Sequence, residues 1–254
     1  MIPIKNSKEI TKMREVNRIV GLLLDKIGGY VQPGISTYEL DKIAEDFIRS
    51  HGAKPAFKGY SIPGLAPFPA SICASVNSCI VHGIPSREVI LKEGDIIGID
   101  VGTYKDGYYG DAARTYRTGN ISLEAEKLMS ITREALNRGM EAAKDGARVG
   151  DISYAIMSVA EKEGYFLADN LTGHGIGKHL HEDPMIPNIG VQGRGPRLKK
   201  GMILAIEPMV NIGTNRVQEM GWEYFTEDRS LSAHFENTVL ITDGEPEILT
   251  VPYQ

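Results

Sequence analysis

Two segments of this chain share one pattern, in which a lysine and a turn glycine lead into an apolar run that ends in a carboxylate. Residues 92–100 have the sequence KEGDIIGID, and residues 199–207 have the sequence KKGMILAIE. Each half also contains a His-Gly-Ile triplet, beginning at His82 and at His174. Glycine-led strands recur by chance, but a matched carboxylate and a matched histidine together favour duplication. We therefore expect two related units.

The spacing of apolar residues predicts helices followed by strands in each unit. In the first helix Asn6 and Glu9 form a capping box, and apolar residues recur at helical spacing as far as Gly28. The same signals predict helices at residues 36–52, 122–143 and 151–163, strands at residues 72–76, 96–101, 108–116, 202–206 and 237–241, and a proline-rich loop at residues 54–70. This order predicts an α+β fold in which two halves, residues 1–120 and 121–254, share one mostly antiparallel sheet within a single domain.

Charge and cysteine content narrow the class of protein. The formal net charge of −5 gives no general electrostatic reason to bind nucleic acid. The N-terminal residues lack the apolar core of a secretory signal, and no apolar run reaches the roughly 18 residues that span a bilayer. The two cysteines, Cys73 and Cys79, suit a reducing compartment better than a disulfide framework. We expect a cytoplasmic protein without a membrane partner or a specific nucleic-acid partner.

Asp100 and Asp111 lie on either side of a turn. Asp100 ends an apolar strand, and residues 104–107 have turn composition. A hairpin centred between Lys105 and Asp106 would place Asp100 directly opposite Asp111, with Cβ atoms about 5 Å apart on one side of the sheet. Like charges so placed are destabilising, so this register calls for a cation between them.

Two further carboxylates occupy strand ends, since Glu207 closes one apolar run and Glu236 opens another. A buried carboxylate is unfavourable unless it is paired or bound to a metal. The alternative to a metal is that Arg114 and Arg229 neutralise these groups. For a single carboxylate we favour that alternative, but four together favour a metal site.

The histidines differ in their surroundings. His174 lies between glycines, which let the backbone turn tightly and a ligand approach. His51 ends a helix and is assigned to capping, whereas His179 and His234 neighbour site residues and are assigned to the surroundings of the site.

Four carboxylates and one imidazole form an oxygen-rich set that suits divalent Mn, Fe, Co or Zn. Bridging carboxylates hold two such ions about 3.5–4 Å apart and lower the pKa of a bridging water from 15.7 towards about 7. The resulting hydroxide would hydrolyse an amide or an ester. The glycine-rich residues 173–177 could suggest a phosphate-binding loop, but they lack the Gly-Lys-Ser/Thr ending of such loops. We therefore expect a two-metal hydrolase.

Nine short motifs spread over nearly the whole chain resemble the type I methionine aminopeptidases, in their short bacterial form. They are KPAFKGY (54–60), CASVN (73–77), VHGIP (81–85), DVG (100–102), GDAA (110–113), GHGIG (173–177), HEDP (181–184), AIEPM (205–209) and HFENT (234–238). The resemblance implies the pita-bread fold, with duplicated halves and helices on one face of a curved sheet. It also implies removal of the initiator methionine when the second residue is small, from peptides and from nascent chains, free or at the ribosome, by a monomer.

The resemblance also implies roles for single residues. The implied ligands of two divalent ions are Asp100 on one ion, His174 and Glu207 on the other, and Asp111 and Glu236 bridging both. The implied catalytic residues are Glu207, His82 and His181, and the two histidines contact the substrate near the scissile bond. The residues matched to the methionine pocket are Tyr60, Cys73, Leu180 and Trp222.

Two departures from the family pattern concern the pocket. Residues 61–70 form a longer and more proline-rich loop than usual, and Leu180 replaces an aromatic residue.

Two alternative functions share the fold. An X-Pro aminopeptidase or prolidase usually carries a large additional N-terminal domain, and a non-catalytic binding module typically loses metal ligands.

Overall fold

Residues 2–251 are described by the structure, a computed structural model. Its helices are α1 (Ser7–Gly28), α2 (Thr37–Ser50), α3 (Leu123–Ala142) and α4 (Val149–Lys162). The first two begin with capping boxes, Asn6 with Glu9 and Ser36 with Glu39. All four predicted helices are confirmed. Within the described range, no helix is both long enough and apolar enough to cross a membrane.

The strands pair antiparallel in four sheets. They are β1 (Lys54–Pro55), β2 (Cys73–Val76), β3 (Cys79–Val81), β4 (Ile96–Lys105), β5 (Tyr108–Arg117), β6 (Phe166–Leu167), β7 (Thr172–Gly175), β8 (Glu182–Pro187), β9 (Ile203–Ile206), β10 (Met209–Asn211), β11 (Val217–Met220), β12 (Glu223–Thr226), β13 (Ser232–His234), β14 (Asn237–Leu240) and β15 (Glu247–Ile248). The sheet orders are β1-β4-β2 with β5 on β4, β13-β10-β6, β11-β12-β3, and β15-β14-β9-β7-β8.

The five predicted strands are present, and the sequence missed the other ten strands of residues 2–251. Many of the missed strands are two to four residues long, so they are too short for a period-two pattern to develop. One of them, β1, lies inside the segment predicted as a loop. The predicted boundary between two halves stays a prediction.

Side chains along β4 and β5 point alternately towards the helices and towards the inner side of the sheet. Ile97, Ile99 and Val101 pack with residues of α1 and α2 in one apolar core. Because successive strand residues point to opposite faces, Asp100 points away from the helices. Ala112 joins the same core, so Asp111 also points inward.

The second half repeats this arrangement. Leu204 and Ile206 of β9 and Val239 of β14 pack with residues of α3 and α4. By the same alternation, Glu207 and Glu236 lie on the opposite side from these core residues. Both helix pairs therefore cover the outer side, and all four carboxylates face inward.

The β4–β5 turn differs from the predicted one. Lys105 pairs with Tyr108, so the turn residues are Asp106 and Gly107, whose φ angles are 50° and 87°. An Asp-Gly pair favours this two-residue turn because positive φ at both positions matches the twist of the flanking strands.

The new register corrects the predicted pairing of the two aspartates. Asp100 pairs with Ala113, and Asp111 pairs with Gly102. The prediction that Asp100 lies directly opposite Asp111 is therefore wrong. The observed partner of Asp100 is two residues further along β5 than the predicted one. A shift of two residues keeps the side chains of Asp100 and Asp111 on one face as diagonal neighbours, with Cα atoms about 7–8 Å apart.

Hydrogen bonds join the two halves beside these acids. The backbone N–H of Glu236 donates to the carbonyl of Ala113 at 2.9 Å. The Thr238 hydroxyl, which is buried, donates to the carbonyl of Asp111 at 2.7 Å. These bonds attach the start of β14 to β5, and they bring the carboxylates of both halves together.

Helix α2 anchors both ends of the loop that precedes β2. At the start of the loop, Lys58 donates to Glu45 at 2.8 Å. At its end, the backbone N–H groups of Ser71 and Ile72 donate to Asp41 at 2.7 and 3.1 Å. The loop between these anchors supplies several side chains of the cavity described below.

Replacement of Glu45 by Gln should make stability less dependent on pH. Hydrogen bonds from Lys58 and Arg49 lower the pKa of Glu45 to about 2, against 4.5 for an ordinary glutamate. A lowered folded-state pKa contributes stability above pH 4.5, which is lost as the pH falls towards 2. We expect Glu45→Gln to cost about 1 kcal/mol at pH 7, since the cations are partly exposed, and less at pH 3.

Urea unfolding at the two pH values measures this difference. Glu126→Gln is the matched control, because Glu126 forms an exposed pair with Arg117 at 3.7 Å. A cost for Glu45→Gln that is the same at pH 7 and pH 3 would contradict the prediction.

Candidate metal centre

A cavity of about 190 Å³ lies on the inner side of the sheets. Its lining includes all eleven predicted site residues, namely Tyr60, Cys73, His82, Asp100, Asp111, His174, Leu180, His181, Glu207, Trp222 and Glu236. The sequence missed three further lining residues, Phe57, Ile62 and Phe68. Phe57 belongs to the KPAFKGY motif, which was a usable signal, whereas nothing in the loop sequence distinguished the other two.

The four carboxylates are not neutralised by the two candidate arginines. Arg114 pairs with Asp25, and Arg229 donates to Gln218 at 2.8 Å while its guanidinium covers the ring of Phe225. The arginine alternative is therefore wrong.

Several carboxylate oxygens are buried without a hydrogen-bond partner among residues 2–251, namely Asp100 Oδ1, Asp111 Oδ1 and Glu236 Oε1. Burial raises the pKa of Asp100 to about 7, and it raises the pKa of Asp111 and of Glu236 as well. Buried acids at close quarters resist ionising together unless a positive charge joins them. A divalent cation supplies that charge, so this donor set fits a metal.

The orientation of His174 supports the same conclusion. Its Nδ1 lies 2.9 Å from the carbonyl oxygen of Gly175. A carbonyl accepts and does not donate, so Nδ1 carries the proton and Nε2 has a free lone pair. That Nε2 lies 3.7 Å from Glu207 Oε1 and 3.9 Å from Asp111 Oδ2. A lone pair facing two carboxylates is unfavourable until a cation lies between them.

The donor atoms form two groups that share one residue. In one group Asp111, His174 and Glu236 present ligand atoms within 4.8 Å of one another, and in the other Glu207, His234 and Glu236 do so. Glu236 belongs to both groups, so its carboxylate lies at the middle of the cluster. Asp100 lies beside Asp111 on the neighbouring strand.

His234 is closer to the centre than the sequence suggested. It is 3% exposed, and its Nε2 lies 3.2 Å from Glu207 Oε2. Burial alone would raise the pKa of Glu207, but the close contact with His234 lowers it. Thr115 fixes the backbone of His234 through its hydroxyl, which donates to the carbonyl and accepts from the N–H.

The other two assigned histidines behave as expected. His51 caps α2, with its Nδ1 2.9 Å from the carbonyl oxygen of Phe47. His179 is exposed, and its backbone N–H donates to Glu182 at 3.1 Å. Neither contributes to the cavity lining.

His82 and His181 lie on the wall of the cavity. His82 has a φ of 58°, a conformation that non-glycine residues adopt mainly where the surroundings enforce it, and burial lowers its pKa. His181 is exposed at the rim, but its ring is crowded by Tyr60, 2.9 Å from its Nδ1, and by the His174 ring, whose centroid is 4.4 Å away. Desolvation by burial lowers the pKa of His181 to about 4. Both rings are therefore neutral at pH 7.

The remaining wall is apolar. Cys73 and Leu180 are both 4% exposed, and burial raises the pKa of the Cys73 thiol, which is consequently uncharged. The Trp222 indole donates to the carbonyl of Ala66 at 2.7 Å and meets the Phe68 ring edge-on at 5.5 Å. The proline-rich loop is thus held against the pocket by Trp222.

Comparisons with known proteins agree with this geometry. The profile of metallopeptidase family M24 matches residues 11–243. The methionine aminopeptidase of Clostridium acetobutylicum is 51% identical over 253 residues, which cover 99% of each chain. The crystal structure of methionine aminopeptidase from Rickettsia prowazekii has a TM-score of 0.95 and 41% identity, with 99% of this chain and 100% of that chain covered. A prolidase from Pyrococcus furiosus is more distant, with a TM-score of 0.79, 25% identity, and 99% of this chain but 66% of that chain covered.

Substitution of His234 should weaken metal binding. His234→Ala removes the imidazole beside Glu207, and a lost supporting contact of this kind typically costs about 10–100-fold in metal affinity. His234→Gln should lose less, because its amide can donate to the Glu207 carboxylate. Calorimetric titration of the metal-free protein with Mn²⁺ measures both effects.

The matched control is His179→Ala, which removes an exposed histidine. If His234→Ala binds Mn²⁺ as tightly as the unchanged protein, His234 has no part in the centre.

Proposed function

Because this chain belongs to metallopeptidase family M24, we propose that it is a methionine aminopeptidase, which removes the N-terminal methionine from peptides and nascent chains when the second residue is small. The observation that carries the proposal is the convergence of four carboxylates and the His174 lone pair on the wall of an apolar cavity. The acids suit a hydrolytic metal centre, and the apolar wall suits an unbranched thioether side chain.

The proposed ligands of two divalent ions are Asp100, Asp111, His174, Glu207 and Glu236. This oxygen-rich set suits Mn, Fe, Co or Zn. Such ions, when bound, polarise a carbonyl and lower the pKa of water. Asp111 and Glu236 would each supply a carboxylate to this centre, and Glu236 belongs to both groups of converging donor atoms.

The apolar wall binds the methionine side chain. The proposed pocket consists of Tyr60, Cys73, Leu180 and Trp222, together with Phe57, Ile62 and Phe68. Trp222 and Phe68 meet edge-on and hold the loop that closes one side. Uncharged sulfur at Cys73 adds contact without a competing charge.

His82 and His181 orient the peptide bond as neutral hydrogen-bonding groups. When the Tyr60 hydroxyl donates to His181 Nδ1, the ring proton lies on Nε2, where it can be donated to the scissile carbonyl oxygen. His82 Nδ1 is buried without a hydrogen-bond partner within residues 2–251, so it can bind the amide of the second residue. A donor aimed at the developing oxyanion contributes about 2.7–4 kcal/mol.

Glu207 moves the proton. Contact with His234 lowers its pKa despite burial, so the carboxylate can accept a proton from the attacking water. The same carboxyl then returns a proton to the leaving amine. In this scheme His234, whose Nε2 lies 3.2 Å from Glu207 Oε2, helps to hold that carboxylate in place.

We further propose that the enzyme acts as a monomer in the cytoplasm, on nascent chains free or at the ribosome. The support is the similarity to bacterial methionine aminopeptidases along the whole chain. The donor set argues against a non-catalytic role, since all the matched ligand positions keep residues that bind metals.

Removal of metal should abolish activity. We expect no methionine release from a Met-Ala-Ser peptide after exhaustive chelation, and recovery on addition of Co²⁺, Mn²⁺ or Fe²⁺, because the clustered acids need a cation to act together. Glu207→Ala should lower kcat by at least about 100-fold, since it removes a ligand and the proton carrier. Released methionine is measured by liquid chromatography.

Glu227→Ala is the control, since Glu227 forms an exposed pair with Arg216 at 3.4 Å. Full activity of the chelated protein would refute a metal-dependent reaction.

Selectivity should depend on the second residue. We expect cleavage of Met-X-Ser peptides with Ala, Gly, Ser, Pro, Thr, Val or Cys at X, because His82 and the sheet carrying the acids crowd the exit from the cavity. At the first position, Leu180 leaves a wider wall than an aromatic residue would. Norleucine or leucine should therefore react within about 1–3 kcal/mol of methionine.

Rates across the peptide panel measure both preferences. Equal rates for Met-Ala and Met-Lys would contradict the selectivity, and faster cleavage of X-Pro than Met-Ala would indicate an X-Pro aminopeptidase.

A further inference from the structure

The loop that carries Leu180 and His181 is tied to a residue near the start of the chain. Lys5 Nζ lies 2.5 Å from Glu182 Oε2, and the two side chains are 5% and 7% exposed. The other carboxylate oxygen, Glu182 Oε1, accepts the backbone N–H of His179 at 3.1 Å. One carboxylate therefore joins Lys5 to the turn of the loop, at the position that follows His181.

Lys5 is itself held on several sides. Its backbone N–H donates to the carbonyl of Gly201 at 2.8 Å, just before β9. Its aliphatic stem lies on the loop backbone, since a Cβ added to Gly177 would come within 2.4 Å of Lys5 Cε. The carbonyl of Gly177 accepts the backbone N–H of Tyr109 at 2.8 Å. The ammonium group thus reaches Glu182 from a fixed frame built by the sheet.

His181 depends on this frame for its position. Its ring lies against His174, and its Nδ1 lies 2.9 Å from the Tyr60 hydroxyl. Tyr60 lies on the loop anchored by α2. Its hydroxyl is therefore held independently of the contacts that Lys5 makes. A loop displaced by the loss of the Lys5–Glu182 pair would move His181 relative to both partners and to the carboxylates.

We infer that Lys5 is a positioning residue for catalysis, which sets the distance of His181 from the scissile carbonyl through Glu182. The inference rests on the proposed function, in which His181 contacts that carbonyl. A buried ion pair by itself is weak evidence for stability, because apolar replacements are often as stable. Here the pair joins Lys5 to Glu182, the residue that follows His181. In the proposed function His181 contacts the substrate, so the pair can act on catalysis by fixing the position of that ring.

Four variants test the inference. Lys5→Met removes the charge and keeps the length of the stem, and Glu182→Gln keeps the shape of the acceptor. The double variant tests whether the two residues act as one unit. The control is Lys178→Met in the same loop, since Lys178 is 63% exposed and pairs with Glu9 at 3.0 Å. Each protein is loaded with Mn²⁺ and assayed with Met-Ala-Ser where circular dichroism shows it folded.

We expect kcat to fall about 10–100-fold in Lys5→Met and in Glu182→Gln, as for a small misplacement of a catalytic group. KM and Mn²⁺ content should stay near those of the unchanged protein, and the double variant should lose no more than either single one. Lys178→Met should leave kcat unchanged.

A second readout does not depend on turnover. In the metal-free proteins, where no paramagnetic Mn²⁺ broadens the spectrum, the C2–H resonance of His181, assigned by its loss in His181→Gln, should shift in Lys5→Met and not in Lys178→Met. Unchanged kcat together with an unchanged His181 resonance would overturn the inference, and so would a kcat loss explained by lost Mn²⁺. If the unchanged protein releases no methionine, the proposed function fails instead, and the His181 resonance still decides whether Lys5 positions the ring.

Discussion

Repulsion among the four clustered carboxylates is the constraint on which the rest of this structure depends. Asp111 and Glu236 are almost fully buried, and burial raises their pKa values together with that of Asp100. Such a cluster is unfavourable in a folded chain unless a cation offsets the repulsion between the carboxylates. The fold holds the acids at close quarters, and the His174 lone pair faces them, so the arrangement is one that a metal stabilises.

Two sheets hold this cluster, and each contributes two acids. Asp100 and Asp111 lie within β4 and β5, whereas Glu207 follows β9 and Glu236 precedes β14. Apolar residues alternate with the acids and bury themselves under the helix pairs on the outer side. Bonds from Glu236 and Thr238 to β5 then fix the distance between the halves. Rigid strands give the precision that a hydrolytic centre needs.

The substrate side is built mainly from loops, and buried polar contacts anchor them. Asp41 and Glu45 hold the loop before β2, Trp222 closes it, and Lys5 holds the loop that carries His181. Loops adapt more readily than strands to changes of side-chain size, which suits the pocket residues. The metal centre and the pocket are thus separable in structure while they share one cavity.

The sequence by itself determined the helices, the main strands, the inward carboxylates and the matched motifs, because capping, apolar periodicity and motif spacing are local properties of the chain. It could not determine the β4–β5 register, where the preference of Asp106-Gly107 for a two-residue turn moved the pairing of Asp100 by two residues. It also left His234 outside the centre and gave no sign of the Lys5–Glu182 contact. Those positions follow from distances between residues far apart in the chain, which only the packing of the two halves sets.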